Sequence, residues 1–144
     1  MALAVQSAAN AYPVSLDYIV YRNDYPPSAN EGGGRVFGSF NFTGTKSLNY
    51  DVDIQDLCNF EGKGDGLGVG FSFVFYPVGG GTAIGSLKGK DTNGCGSGVV
   101  PAAGTITRAN AQSKAQPIAC ATQDGTCFFT VNGGYGQIGD NPYT

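Results

Sequence analysis

LGVGFSFVFYPV, residues 67–78, sets large apolar side chains (Leu67, Val69, Phe71, Phe73, Phe75) alternately with Gly68, Gly70 and Ser72. A period of two gathers the large residues on one side of an extended chain, where a helix would scatter them around its axis. The glycine and serine face leaves room for another backbone to come close, so this stretch is expected to be a central β-strand. Working outward, SLNYDVDI at 47–54 points Leu48, Tyr50, Val52 and Ile54 inward and Asn49, Asp51 and Asp53 outward. Residues 35–42 repeat the pattern with Val36, Gly38, Phe40 and Phe42, and residues 14–21 with Val14, Leu16, Tyr18 and Val20. Shorter strands are expected at 82–87, 118–122 and 126–131.

Glycine and proline punctuate these segments. Residues 25–34 hold two prolines and three consecutive glycines, residues 78–81 read VGGG, and residues 88–98 read KGKDTNGCGSG, so each is expected as a turn or loop. Asp124-Gly125 is the strongest hairpin signal. Two short helices are allowed, at 53–60 and at 105–116, the second capped by Thr105 or Thr107 and stopped by Pro117. The expected fold is all-β with minor α: one antiparallel β-sandwich domain over 1–144, with 1–11 as a flexible N-terminal segment. Its core should contain Leu16, Tyr18, Val20, Phe40, Leu48, Tyr50, Val52, Val69, Phe71, Phe73 and Phe75.

With 144 residues, 24 glycines, no histidine and no tryptophan, the chain has the length of one ordinary domain. Charged residues are 13%, about half the usual share, yet nine Phe and eight Tyr argue against disorder. The absence of histidine excludes Ser-His and Cys-His nucleophiles, an imidazole base and His-ligated metals. A net charge of −3, with eight scattered basic residues, argues against nucleic acid. No apolar run approaches the ~20 residues of a membrane span, so membrane insertion is not expected.

Four cysteines, none spaced C-x-x-C, suggest two disulfides and not a zinc site. For Cys120 and Cys127 to face each other, the 122–125 segment must form a four-residue loop that sets Ala121 opposite Thr126. Cys58 and Cys95 then remain, flanking the phenylalanine-rich strand. The expected pairs are therefore Cys58–Cys95 and Cys120–Cys127. Disulfides, low charge and the sequon Asn41-Phe42-Thr43 together favour a secreted glycoprotein. No complete signal peptide is visible; only the small-residue opening Met1-Ala2-Leu3-Ala4 resembles a cleavage site.

Among motifs, the G-x-G-x-x-G string at 134–139 is rejected, because only five residues follow it and a dinucleotide site must open a helix. Asp51, Asp53, Asp56, Glu61 and Asp65 concentrate acid within 51–65. A solvated sheet face explains them best; calcium ranks second, and carboxylate catalysis of glycoside hydrolysis ranks last, since carboxyls on one strand do not oppose each other. Tyrosine, asparagine and aspartate cluster at Tyr21, Asn23, Asp24 and Tyr25 and again at Asn132, Tyr135, Asp140 and Asn141. Such side chains suit sugars: aromatic faces stack on C–H surfaces, and carboxylates and amides pair with hydroxyls.

In size and composition the chain is similar to the small secreted lectins and immunomodulatory proteins of fungi, a likeness of overall type that no shared motif carries. The expected function is non-catalytic recognition of a glycan or cell-surface glycoprotein, with no cofactor and no metal. The alternative is a secreted effector, immunomodulator or inhibitor that docks on protein, with homodimers compatible with it.

Overall fold

The computed structural model describes residues 13–21, 33–58, 68–123, 126–128 and 136–144, with backbone alone described for 16–21, 33, 121–123 and 126–128. Among these residues the chain forms β1 (Val14–Tyr21), β2 (Gly33–Phe42), β3 (Ser47–Leu57), β4 (Gly68–Pro77), β5 (Ala83–Ile84), β6 (Gly89–Asp91), β7 (Val99–Thr107), β8 (Gln112–Gln123), β9 (Thr126–Phe128) and β10 (Gly139–Asp140). One sheet has the order β1-β2-β3-β7; the other runs β10-β8-β4-β5, with β6 also on β4 and β9 also on β8. Every pairing is antiparallel, and the two sheets pack together as a β-sandwich.

Alternation accounts for the core. Val36, Phe40, Phe42, Leu48, Val52 and Ile54 from the first sheet meet Val69, Phe71, Phe73, Phe75, Ala115 and Ala119 from the second in one buried cluster. Phe73 is fully buried, with the rings of Phe71 at 5.0 Å, Phe40 at 5.2 Å, Phe75 at 5.9 Å and Tyr50 at 6.1 Å between centroids. Tyr50 is only partly buried. The expected core side chains Leu16, Tyr18 and Val20 lie outside the described residues.

β4 is buried on both faces, as its sequence implies. Along its edge the 85–88 segment bulges between β5 and β6: Gly85 N–H and Lys88 N–H donate to the carbonyls of Phe73 and Phe71, and the Ser72 hydroxyl lies 2.8 Å from both the Gly85 and Ser86 carbonyl oxygens. Two close approaches depend on glycine. A Cβ on Gly34 would fall 2.3 Å from a Val69 methyl on the opposite sheet. Gly38, inside β2, has φ +145° and its Cβ position lies 2.2 Å from the Asp51 carbonyl oxygen.

Neither expected helix is present. Residues 53–57 complete β3, held in register by Gly33–Phe37 of β2. Residues 105–107 end β7, a four-residue connection follows, and residues 112–116 begin β8. Pro117 does not stop a helix but sits within β8 opposite Phe73. Its carbonyl accepts from Gly136 N–H on the far side, so the missing N–H faces away from β4 and costs the β4–β8 ladder nothing. The expected strand at 82–87 shrinks to Ala83–Ile84, and the loop expected at 88–98 opens with β6. The strand expected at 118–122 is the second half of the longer β8; of 126–131, residues 129–131 lie outside the described residues.

Cys58, just beyond β3, is bonded to Cys95 in the loop after β6, with Cα atoms 5.0 Å apart. The nearby Asp91 is fully buried and caps this crossing: its carboxylate accepts from Asp56 N–H at 2.9 Å and Asn93 N–H at 3.1 Å. Cys120 is also disulfide-bonded; the side chain of Cys127, its expected partner, lies outside the described residues. The expected four-residue loop is corrected: Gln123 pairs with Thr126 and Thr122 with Cys127, leaving two residues between the strands. That spacing suits Asp-Gly, whose tight turn matches the twist of a hairpin.

Candidate functional site

Most of the two clusters expected to bind sugar lies outside the described residues. Of the first, Tyr21 is described by backbone alone, at the end of β1, and Asn23, Asp24 and Tyr25 lie outside the described residues. Of the second, Asn132 and Tyr135 lie outside them as well. Gly139, which begins β10, abuts Val14 at the start of β1. Tyr21 is seven residues further along that strand, about 23 Å away.

Asp140 is exposed, paired across the ladder with Lys114. Asn141 is buried, and here the sequence expectation is corrected. Its side-chain amide donates to the carbonyls of Gln112 (2.8 Å), Gly44 (3.1 Å) and Thr45 (3.3 Å), and its side-chain oxygen accepts from Tyr143 N–H at 3.0 Å. Neighbours on a strand point to opposite faces, so Asp140 faces water while Asn141 joins the β2–β3 hairpin to the start of β8. Its hydrogen-bonding atoms are used inside the fold and do not face a ligand.

A different surface gathers the chemistry that sugars need. Because Val36, Phe40, Leu48, Val52 and Ile54 point inward, the residues between them line the outer face of the first sheet. Ladder pairing aligns them in rows: Asn41–Asn49–Thr105, Ser39–Asp51–Ala103, Phe37–Asp53–Pro101 and Arg35–Gln55–Val99. Phe37 is half-buried there, with the Arg35 guanidinium 4.3 Å above its ring centroid. Ring and guanidinium thus form one stacked plate. Beside it stand Asp53 and, one row on, the exposed Asp51. At the hairpin end the Thr105 hydroxyl donates to the Asn49 side-chain oxygen at 2.7 Å.

Within a few rows the face therefore carries an aromatic ring, two carboxylates, amides and hydroxyls. Asp51 and Asp53 sit on one strand and point the same way, so neither opposes the other across a bond to be cleaved. Among the described residues, no group of three or more His, Cys, Asp or Glu is placed to hold a metal ion; Glu61 and Asp65 lie outside them. No helix among the described residues is long and apolar enough to cross a membrane.

Sequence reasoning did not single out Phe37, Arg35, Ser39 or Asn49. The signal was nevertheless present: in residues 35–42 the inward face is apolar, so Phe37 is an aromatic residue on the polar side of an amphipathic strand. Compared with known proteins, the chain matches no family model, no curated sequence and no solved structure.

Proposed function

We propose that this protein is a secreted, non-catalytic carbohydrate-binding protein whose site is the outer face of the β1-β2-β3-β7 sheet. The observation that carries it is the Phe37–Arg35 plate flanked by Asp53 and Asp51. A pyranose lays its C–H face on such a plate while its hydroxyls donate to the carboxylates. The face lies on regular strands, so its groups are held in fixed relation before a ligand arrives, which lowers the entropy cost of binding. Disulfides at Cys58–Cys95 and at Cys120 support an oxidising compartment.

A glycan array followed by calorimetric titration tests this. Phe37→Ala and Asp53→Asn should each weaken binding at least tenfold, about 1.4 kcal/mol, with both variants still folded and strand-rich by far-ultraviolet dichroism. Binding that survives both changes, or no binding to any glycan, would overturn it.

One observation favours the alternative, docking on a protein partner. Arg108 N–H donates to the Lys46 carbonyl, so in the β3–β7 register the even residues of β7 bond β3 and the odd ones turn their backbone outward. Among the described residues no strand pairs that outer edge, which runs from Val99 to Thr107 without a charged side chain. Such an edge accepts an added strand, although Pro101 removes one of its donors.

A further inference from the structure

The sequon Asn41-Phe42-Thr43 straddles the end of β2, with Thr43 just beyond the strand, and the chain's alternation divides its roles. Phe42 is buried in the core, whereas Asn41 and Thr43 stand on the solvent side. The Asn41 amide makes one long contact, 3.4 Å to the carbonyl of Phe42, in contrast to the three carbonyls that hold Asn141. Nδ2 of Asn41 can therefore carry a substituent without removing a bond that holds the fold together. Thr43 is engaged with Ser47 through its hydroxyl at 2.8 Å, so the folded hairpin presents a closed sequon. Modification thus belongs to the unfolded, newly exported chain, and the fold needs only to leave Asn41 on an outer surface.

We propose that Asn41 is N-glycosylated during secretion and that the attached glycan covers the carbohydrate-binding face, making the glycosylated protein its masked form. In the transfer, Nδ2 forms a bond to the anomeric carbon of a sugar carried on a diphosphate-linked lipid donor. The bond from that carbon to the diphosphate oxygen breaks, the diphosphate leaves with its electron pair, and the amide gives up one proton. Asn41 lies directly across the ladder from Asn49 and one row from Ser39 and Asp51. Phe37 is four residues along the same strand, about 13 Å away. A branched glycan core of several sugars reaches that far and would occupy the ground an incoming glycan needs. The masking half of the proposal rests on the sheet face being the binding site; the modification half does not.

The experiment is secretion of the full chain from a eukaryotic cell that performs N-glycosylation. The parent, Asn41→Gln and Thr43→Ala proteins are compared by intact mass and by titration with the best array glycan. Thr43→Ala removes the sequon yet keeps Asn41 and loses only one exposed hydrogen bond, so it covers the case in which Asn41→Gln disturbs the face. The expected result is a glycan-sized mass increment in the parent alone, with at least tenfold tighter binding in Thr43→Ala. No mass increment in the parent overturns the modification. An increment with equal affinity in parent and Thr43→Ala overturns the masking while leaving the binding site standing. An increment with no glycan bound by any form overturns the proposed function, and the masking with it.

Discussion

Asn141→Ala tests whether this asparagine holds the sandwich closed or serves a ligand. The native side chain has two N–H hydrogens facing three carbonyls, at 2.8, 3.1 and 3.3 Å, and one oxygen accepting from Tyr143 N–H. Alanine removes three hydrogen bonds at roughly 1 kcal/mol each, with extra cost for each backbone group left buried and unpaired. A loss of about 3 kcal/mol is expected. Unfolding entropy near 2.1 cal/mol/K per residue gives about 0.3 kcal/mol/K for this length, so Tm should fall by about 10 °C. Asn141→Asp keeps the volume and the acceptor for Tyr143 but removes both donors and sets carboxylate oxygen against carbonyl oxygen. It should therefore cost at least as much as alanine. Urea unfolding followed by tyrosine fluorescence and far-ultraviolet dichroism measures both, with glycan titration of each folded variant alongside. A loss under about 1 kcal/mol for alanine, or an aspartate variant as stable as the parent, would refute the hydrogen-bonding account. Lost sugar affinity in a variant of unchanged stability would return Asn141 to a ligand-facing role.

Phe73→Ala removes the ring surrounded by Phe40, Phe71, Phe75 and Tyr50 and should cost about 3–5 kcal/mol in urea unfolding; a value under 1 would mean the site refills. Gly38→Ala brings a Cβ against the Asp51 carbonyl at a φ that L-residues avoid. It should lower stability by about 1–3 kcal/mol or more, whereas a neutral or stabilising change would contradict the strand geometry. Replacing both Cys58 and Cys95 by serine opens a loop of 37 residues and should cost about 3–4 kcal/mol by chain entropy, with a far-ultraviolet spectrum still dominated by strand.

What the sequence disclosed and what it hid follow from one physical distinction. Strands half-buried between water and core, such as β2 and β3, alternate apolar and polar residues and were legible by that period. β7 carries VVPAAGTIT along an edge that no strand among the described residues pairs, where small uncharged side chains serve without any alternation to detect. The helix expected at 105–116 arose from a threonine, an alanine-containing run and Pro117, all local signals. They were overridden by the pairing of β7 with β3 and of β8 with β4. The bond from Gly136 N–H to Pro117 explains why proline is tolerated there, and nothing near residue 117 in the sequence announces it.

The candidate site was hidden for a related reason. Residue type alone ranked Asp140 and Asn141 together, but a strand gives adjacent residues opposite surroundings, and burial separated them. Phe37, Asp53 and Asp51 are far apart in type and partly in sequence, yet the β2–β3 register sets them in adjoining rows. Periodicity tells which face a residue is on, while register tells which residues share a row. A binding surface built on a sheet needs both, and the second is a long-range property of the pairing between chains of side chains that the hairpin turn aligns. An aromatic residue found on the polar side of an amphipathic strand is thus the local clue, and the carboxylates that give it meaning are supplied by the neighbouring strand.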